Sequence, residues 1–145
     1  MTHKFSSPND TMNQPRPLHL PADISGRLWL HSMPGRCEAF QEIIDWCADE
    51  RIDFIVCLVF DEEIAEKSPD YLAALRDGSF PVPVKRFPIP DYGVPENIQT
   101  FADLVVETVR LLRQGQRVLV HCAAGIGRTG MFATAVLMAA GVAQN

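Results

Sequence analysis

A glycine-rich stretch between a predicted strand and a predicted helix carries the residues best suited to chemistry. Cys122, Gly125, Gly127 and Arg128 follow one another there. A helix start presents unpaired amides and a partial positive charge, and a loop curling over it forms a nest of N–H donors for an anion. The two glycines allow positive φ, and Arg128 adds a fork that matches two phosphate oxygens. We therefore predict a phosphate-binding loop.

Cys122 opens this loop, and the field that attracts phosphate also favours a thiolate. The pKa of a free cysteine, about 8.5, falls to roughly 3.5–7.5 beside helix N-termini or cations. A thiolate next to a bound phosphate is placed for nucleophilic attack. The competing interpretations are a buried inert thiol for Cys122 and a surface salt bridge for Arg128. Neither explains why the two residues occur together in such a loop.

The neighbours of these two residues have supporting roles in the prediction. Adjacent strand residues point to opposite faces, so we expect His121 behind the loop, orienting it through hydrogen bonds. We expect the Thr129 hydroxyl either to cap the helix or to steady the departing sulfur. The backbone expected around the phosphate, together with Arg128, belongs to Ala123, Ala124, Gly125, Ile126 and Gly127.

Transfer of a phosphoryl group to sulfur expels an alkoxide or phenolate, and a positioned acid that protonates it contributes typically about 10²–10⁴-fold. Asp91 is the candidate, because its proline-rich loop follows a predicted strand over residues 82–87. Gly93 gives that loop a pivot. The alternative role for Asp91 is to close an Asx turn. Weaker candidates for the acid are Asp61, Glu62 and Asp103.

The apolar pattern predicts the elements that position these residues. Strands are expected over residues 27–31, 53–59, 82–87 and 118–120. Helices are expected over residues 37–50, 61–77 with a break at Pro69, from Pro95 to about Gly115, and over about 129–140. Their alternation predicts an α/β fold: a central, mainly parallel twisted sheet of about four or five strands flanked by helices. Open sheets of this kind bind ligands at the carboxyl ends of their strands, where the phosphate loop lies.

Ten consecutive residues, His121 to Gly130, match the pattern H-C-x-x-G-x-x-R-[ST]-G. In this motif the chain resembles the protein tyrosine phosphatase superfamily, and its compact size resembles the dual-specificity and atypical branch. The resemblance implies hydrolysis of phosphate monoesters through a phosphocysteine at Cys122, with Asp91 acting first as acid and then as base. It implies no metal and no cofactor. Ile89 stands where many members carry the tryptophan of a W-P-D sequence, which the compact branch often lacks.

The substrate is predicted from the surroundings of the loop. Ala123, Ala124 and Ile126 carry no charge, whereas lipid-directed members of the superfamily have lysines within this loop. We therefore predict a phosphoprotein or phosphopeptide substrate with phosphotyrosine. The tyrosine-recognition loop of the classical large phosphatases is not recognisable in this sequence, so we predict a shallower cleft that also accepts phosphoserine and phosphothreonine. Arg36 is either a rim residue that binds the substrate backbone or a second phosphate, or an ordinary exposed arginine. Tyr92 packs either on the substrate ring or on its own loop.

Two other functions stay open as alternatives. One is a catalytically weak phosphate-binding module that docks phosphoproteins. The other keeps the chemistry but acts on RNA 5′-phosphates or phosphoinositides. A net charge of −5 argues against nucleic acid and against an anionic membrane as partners. The joint presence of Cys122, Arg128 and Asp91 argues against a purely binding role.

The 145 residues suit one folded domain. We predict a flexible N-terminal arm over residues 1–23 and a phosphatase domain over residues 24–145, which is either minimal or lacks C-terminal helices that relatives carry. The sequence has no signal-like or membrane-spanning stretch and no C-x-x-C pair, so we expect a cytoplasmic protein with free thiols. Cys57 is either a core residue or the partner that traps oxidised Cys122 in a disulfide. The oligomeric state is not predicted.

Overall fold

A computed structural model describes residues 14–91 and 93–141 and contains one five-stranded sheet. The strands are β1 (Arg16–Pro17), β2 (Arg27–His31), β3 (Phe54–Cys57), β4 (Val84–Arg86) and β5 (Arg117–His121). The helices are α1 (Phe40–Asp49), α2 (Asp61–Lys67), α3 (Pro69–Asp77), α4 (Ile98–Arg113) and α5 (Gly127–Ala139). The strand order is β1-β2-β5-β3-β4, and only the β1–β2 pair is antiparallel. The predicted α/β fold with a mainly parallel sheet is confirmed.

Strand β5 lies in the middle of the sheet because its side chains are apolar on both faces. Val118, Leu119 and Val120 are all fully buried, as expected for a parallel strand covered on two sides. In register, His121 at the end of β5 pairs with His31 of β2 on one side and Cys57 of β3 on the other. The carboxyl ends of these three strands therefore meet at one edge, where the loops after them converge.

Two hydrophobic clusters cover the two faces of the sheet. On one face, Trp46 of α1 packs edge-to-face on Trp29 with ring centroids 5.3 Å apart, and Leu119 belongs to this cluster. On the other face, α4 and α5 contribute Phe101 and Phe132, whose rings meet at 6.1 Å. Because strand side chains alternate, successive residues of β5 anchor different helical layers. The strand that precedes Cys122 is thereby fixed from both sides.

Three predicted helix starts are wrong. Helix α1 begins at Phe40 rather than at residue 37. Helix α4 begins at Ile98 rather than at Pro95, because the side-chain oxygen of Asn97 accepts the Thr100 amide at 3.1 Å and caps the first turn. Ile98, the first residue of the helix, is 65% exposed. Helix α5 begins at Gly127, two residues before the predicted start, so it enters the phosphate loop itself.

The N-terminal segment contains a strand that the sequence did not predict. Arg16 and Pro17 pair with Leu30 and Trp29 of β2, and the Leu18 amide donates to the Leu28 carbonyl at 2.8 Å. Two residues are too short to show alternation, and proline is tolerated at a sheet edge. The division at residue 24 stays a prediction, and residues 1–13 lie outside the described ranges. Within those ranges, no helix has the length and apolar character needed to span a membrane.

Candidate active site

The loop after β5 curls back over the sulfur of Cys122. The Gly125 amide donates to this sulfur at 3.2 Å, and the Cys122 residue is 2% exposed. Gly125 has φ +78°, and a Cβ on it would lie 2.6 Å from the backbone of His31 and Ser32. Only glycine fits this turn. Gly127 has no positive φ, so the prediction of conformational freedom is wrong there.

Hydrogen-bond donors around the sulfur outweigh its burial. Burial raises the pKa of Cys122, but the Thr129 hydroxyl and the amides of Thr129, Gly125 and Ile126 bring it below its ordinary value. The Thr129 hydroxyl is buried and forms no hydrogen bond of full geometry within the described residues, yet it lies close enough to lower this pKa. It does not cap α5, whose N-cap is Ile126, so the capping prediction is wrong.

Among the described residues, the hydrogen-bond partners of Arg128 leave one edge of its guanidinium open. Nη1 donates to the Ile89 carbonyl at 2.9 Å and to Oε1 of Glu63 at 2.8 Å, and Nη2 donates to Oε2 of Glu63 at 2.8 Å. A guanidinium has five N–H donors, of which these contacts use three. The Nε hydrogen and the second Nη2 hydrogen share the remaining edge, and two parallel donors match two phosphate oxygens.

Sequence reasoning missed Glu63, which anchors that arginine. Hydrogen bonds from Arg128 lower the pKa of the Glu63 carboxyl more than its partial burial raises it, so the ion pair persists to lower pH than it would with an ordinary glutamate. The sequence signal that could have indicated Glu63 is its position as an acidic residue in the first turn of α2, the helix that follows strand β3. The weaker candidates for the acid lie elsewhere: Asp61 pairs with Arg86, and Asp103 accepts from Gln99 on exposed α4.

His121 lies behind the loop, fully buried. One ring nitrogen, Nε2, is 2.8 Å from the hydroxyl of Tyr71, and Nδ1 is 3.0 Å from the Cys122 carbonyl oxygen. The histidine therefore links α3 to the residue that bears the sulfur. Tyr71 was not singled out from the sequence, because it lies 50 positions away and only the packing of α3 brings it there.

Asp91 stands across the cleft from the loop. A hydrogen bond of 2.9 Å from the Gly93 amide to the Pro90 carbonyl closes a turn that contains it. Its Oδ1 is 3.6 Å from Nη2 of Arg128, and its side chain is 59% exposed. The cleft has a volume of about 680 Å³ and is lined by Arg36, Lys67, Asp91, Gly93, Ala123, Ala124, Ile126, Gly127, Arg128 and Met131. Tyr92 lies outside the described residues.

Two cationic side chains line the cleft besides Arg128. Arg36 lies over the loop, with Nη1 donating to the Ala123 carbonyl at 3.0 Å. Lys67, the last residue of α2, was not predicted from the sequence, although its charge acts on Glu63. Cys57 is fully buried and pairs in register with His121, and Cys57 and Cys122 are both free thiols. The redox disulfide stays a prediction.

The fold and the motif place the chain in the compact dual-specificity branch of the protein tyrosine phosphatase superfamily. Residues 31–142 match a family model described as "Polymorphic toxin system, DSP-PTPase phosphatase". The chain belongs to this family.

Solved structures and curated proteins of this superfamily are similar to the chain. Kinase associated phosphatase superposes with a TM-score of 0.77 at 20% identity, over 91% of this chain and 76% of that one. Tk-PTP in its active form has a TM-score of 0.62 at 25% identity, over 85% and 77%. Human tyrosine-protein phosphatase non-receptor type 4 is 51% identical over 47 residues, 31% of this chain. Tyrosine-protein phosphatase 1 of Dictyostelium discoideum is 40% identical over 58 residues, 34% of this chain. The matched stretches span 5% and 11% of these two relatives.

Proposed function

We propose that the protein is a phosphoprotein phosphatase that hydrolyses phosphotyrosine, and also phosphoserine and phosphothreonine, through a phosphocysteine at Cys122. One observation carries the proposal, which is the convergence of donors on one sulfur. The amides of Gly125, Ile126 and Thr129 lower the pKa of Cys122, and Arg128 lies beside the same sulfur with two N–H donors that no described residue occupies. A nucleophile and an oxyanion site thus share one loop, as an in-line displacement at phosphorus requires.

In the first step, the loop amides from Ala123 to Gly127 and the open edge of Arg128 bind the phosphate oxygens. The Cys122 thiolate attacks phosphorus, a P–S bond forms, and the P–O bond to the leaving group breaks. Asp91 lines the same cleft and gives its proton to the leaving oxygen, which departs as a neutral hydroxyl. In this proposed reaction step, no metal or cofactor takes part.

In the second step, Asp91 is a carboxylate and removes a proton from a water molecule. The water oxygen attacks phosphorus, the P–S bond breaks, and inorganic phosphate leaves. The sulfur departs as a thiolate, which the loop amides and the Thr129 hydroxyl stabilise. His121 stays behind the loop and keeps the Cys122 backbone in place through its 3.0 Å contact with the carbonyl.

The charges of the cleft support an acidic phosphopeptide as substrate. Glu63 neutralises Arg128, but Arg36 and Lys67 form no salt bridge to any carboxylate within the described residues. Their two positive charges stand beside the phosphate site and complement an acidic or second phosphorylated residue of the peptide. We accordingly propose no nucleic-acid or membrane partner. A cytoplasmic location suits a reactive thiol, which a reducing compartment protects.

The activity is tested with a phosphotyrosine peptide and a phosphothreonine peptide of the same sequence, in EDTA. We expect the wild type to release phosphate from both, and Cys122→Ser to release none while still binding the peptide. Turnover by Cys122→Ser would refute the phosphocysteine. Phosphopeptide binding by the wild type without turnover would instead establish a binding module.

The acidic preference is tested by Lys67→Met, with Lys85→Met on β4 as the matched control. Exposed ion pairs contribute about 0.2–1 kcal/mol, so KM for a peptide with acidic flanks should rise about 1.5- to fivefold. We expect an unchanged kcat, and an unchanged KM for a peptide with neutral flanks. Equal effects on the two peptides would contradict the role of Lys67 in selecting charge.

A further inference from the structure

An arginine of the N-terminal strand grips the phosphate loop from outside. Nη2 of Arg16 donates to the Gly125 carbonyl at 2.6 Å, across 109 positions of sequence. Arg16 pairs in register with Leu30, one residue before the end of β2, and the backbone of the next residues, His31 and Ser32, packs against Gly125. The outermost strand, β1, and the phosphate loop therefore meet near the carboxyl end of β2.

The Gly125 carbonyl that Arg16 binds belongs to a peptide group whose N–H side faces the sulfur. A trans peptide is planar, and its C=O and N–H point in opposite directions. The Gly125 carbonyl shares its peptide group with the Ile126 amide, which is one of the donors that lower the pKa of Cys122. A donor that holds the carbonyl outward consequently holds this amide inward.

Neighbouring carbonyls of the loop have other anchors. The Ala123 carbonyl accepts from the Met33 amide and from Arg36, each at 3.0 Å, and the Ile126 carbonyl accepts from the Gly130 amide at 2.8 Å. The Gly125 carbonyl lies between them and belongs to a residue whose φ of +78° only glycine adopts readily. Arg16 supplies its anchor from a segment outside the matched residues 31–142.

We propose that Arg16 is a positioning residue that locks the Gly125–Ile126 peptide group with its carbonyl outward and its amide toward the sulfur of Cys122. Its importance for turnover rests on the proposed function, in which this sulfur is the nucleophile. The effect on the sulfur itself is measurable without any turnover. Loss of the anchor lets the peptide group rotate and removes one donor from the thiolate.

The test is the rate of alkylation of Cys122 by iodoacetamide against pH, followed by mass spectrometry of the peptide that contains it. The variants are Arg16→Met and Arg16→Lys, and the control is Arg27→Met at the other end of β2. We expect Arg16→Met to raise the apparent pKa and to slow alkylation below it about three- to tenfold, since tenfold corresponds to one pKa unit. Arg16→Lys should lie between wild type and Arg16→Met, and Arg27→Met should match wild type.

Two further measurements separate positioning from other causes. The charged or titratable groups around the sulfur are the same in every variant: His121 behind the loop, Arg128, and Arg36, Lys67 and Asp91 in the cleft. The charge of Arg16 acting through space would be screened by salt, whereas a hydrogen bond would not. We therefore expect the difference between wild type and Arg16→Met to survive in concentrated NaCl, and its disappearance there would overturn the proposal.

Unfolding in urea shows whether each variant is folded. A folded Arg16→Met with a wild-type alkylation profile overturns the proposal. If Arg16→Met does not fold, Arg16→Ala decides, because it also removes the donor, and a wild-type profile for it has the same consequence. A shifted profile in a protein that releases no phosphate from any phosphopeptide would leave this role of Arg16 intact and would remove only the proposed phosphatase activity.

Discussion

Cys47 and Cys122 are two equally buried thiols with opposite chemistry. Each residue is 2% exposed. Burial, with the nearby charge of Glu38, raises the pKa of Cys47 to about 12, whereas the donors around Cys122 bring its pKa below the ordinary value despite burial. Cys47 lies inside α1, where the backbone amides are used by the helix itself, and Cys122 faces a helix start, where they are not. Unused donors, rather than concealment from water, therefore distinguish the two sulfurs.

Replacing each sulfur by oxygen is the strongest way to break this comparison. We expect Cys122→Ser to lower kcat by about 10⁴-fold or more, because a hydroxyl is a far weaker nucleophile than a thiolate. Cys47→Ser should leave kcat within about twofold and lower the free energy of unfolding by about 1–3 kcal/mol, since a hydroxyl without a partner is buried. Steady-state kinetics and urea unfolding give the two values. Equal losses of turnover in both variants would contradict the comparison.

The second prediction extends the comparison from the sulfur to the arginine beside it. Glu63→Gln keeps the shape of the side chain but removes the charge that holds Arg128, and hydrogen bonds to charged groups contribute about 1.5–3 kcal/mol. We expect kcat/KM to fall about 10- to 100-fold, measured with a phosphotyrosine peptide. Glu62→Gln, on the exposed side of the same helix, is the control. An unchanged kcat/KM in Glu63→Gln would mean that Arg128 needs no anchor.

The third prediction makes Cys122 more like Cys47. Thr129→Val removes a hydroxyl that lowers the pKa of Cys122, so this pKa should rise. Because the thiolate is the reactive form, the acid limb of the kcat/KM profile moves to higher pH, and activity below the pKa falls about three- to tenfold. Thr108→Val, at a buried threonine of α4 whose hydroxyl donates to Leu104, is the matched control. An acid limb at its wild-type position would show that the hydroxyl has no effect on the thiolate.

The order of strands and helices could be predicted because each follows a local pattern. The apolar residues before Cys122 indicate a strand, and the glycines after it indicate a turn that leads into a helix. Neither indication needs information from elsewhere in the chain. The predicted start of α4 at Pro95 was wrong, because the side-chain oxygen of Asn97 caps the helix and places its first residue at Ile98. Strand β1 is only two residues long, so it has no period that a sequence can show.

The candidate site could be predicted where its residues are consecutive and not where they are distant. The nucleophile and the arginine lie within one motif. Glu63, Tyr71 and Arg16 are separated from their partners by 65, 50 and 109 positions, and only strand register and helix packing bring them together. Each of them binds a motif residue rather than the substrate site directly, so its type alone indicates no chemistry.

The root of the loop that bears Asp91 is fixed by the phosphate-binding arginine itself. Ile89 is fully buried, its amide donates to the Leu58 carbonyl at 3.1 Å, and its carbonyl accepts from Arg128 at 2.9 Å. Asp91 lies two residues beyond this fixed point, so the acid has little distance to travel during turnover. We expect bond breaking at phosphorus, and not a swinging lid, to limit the rate of this enzyme.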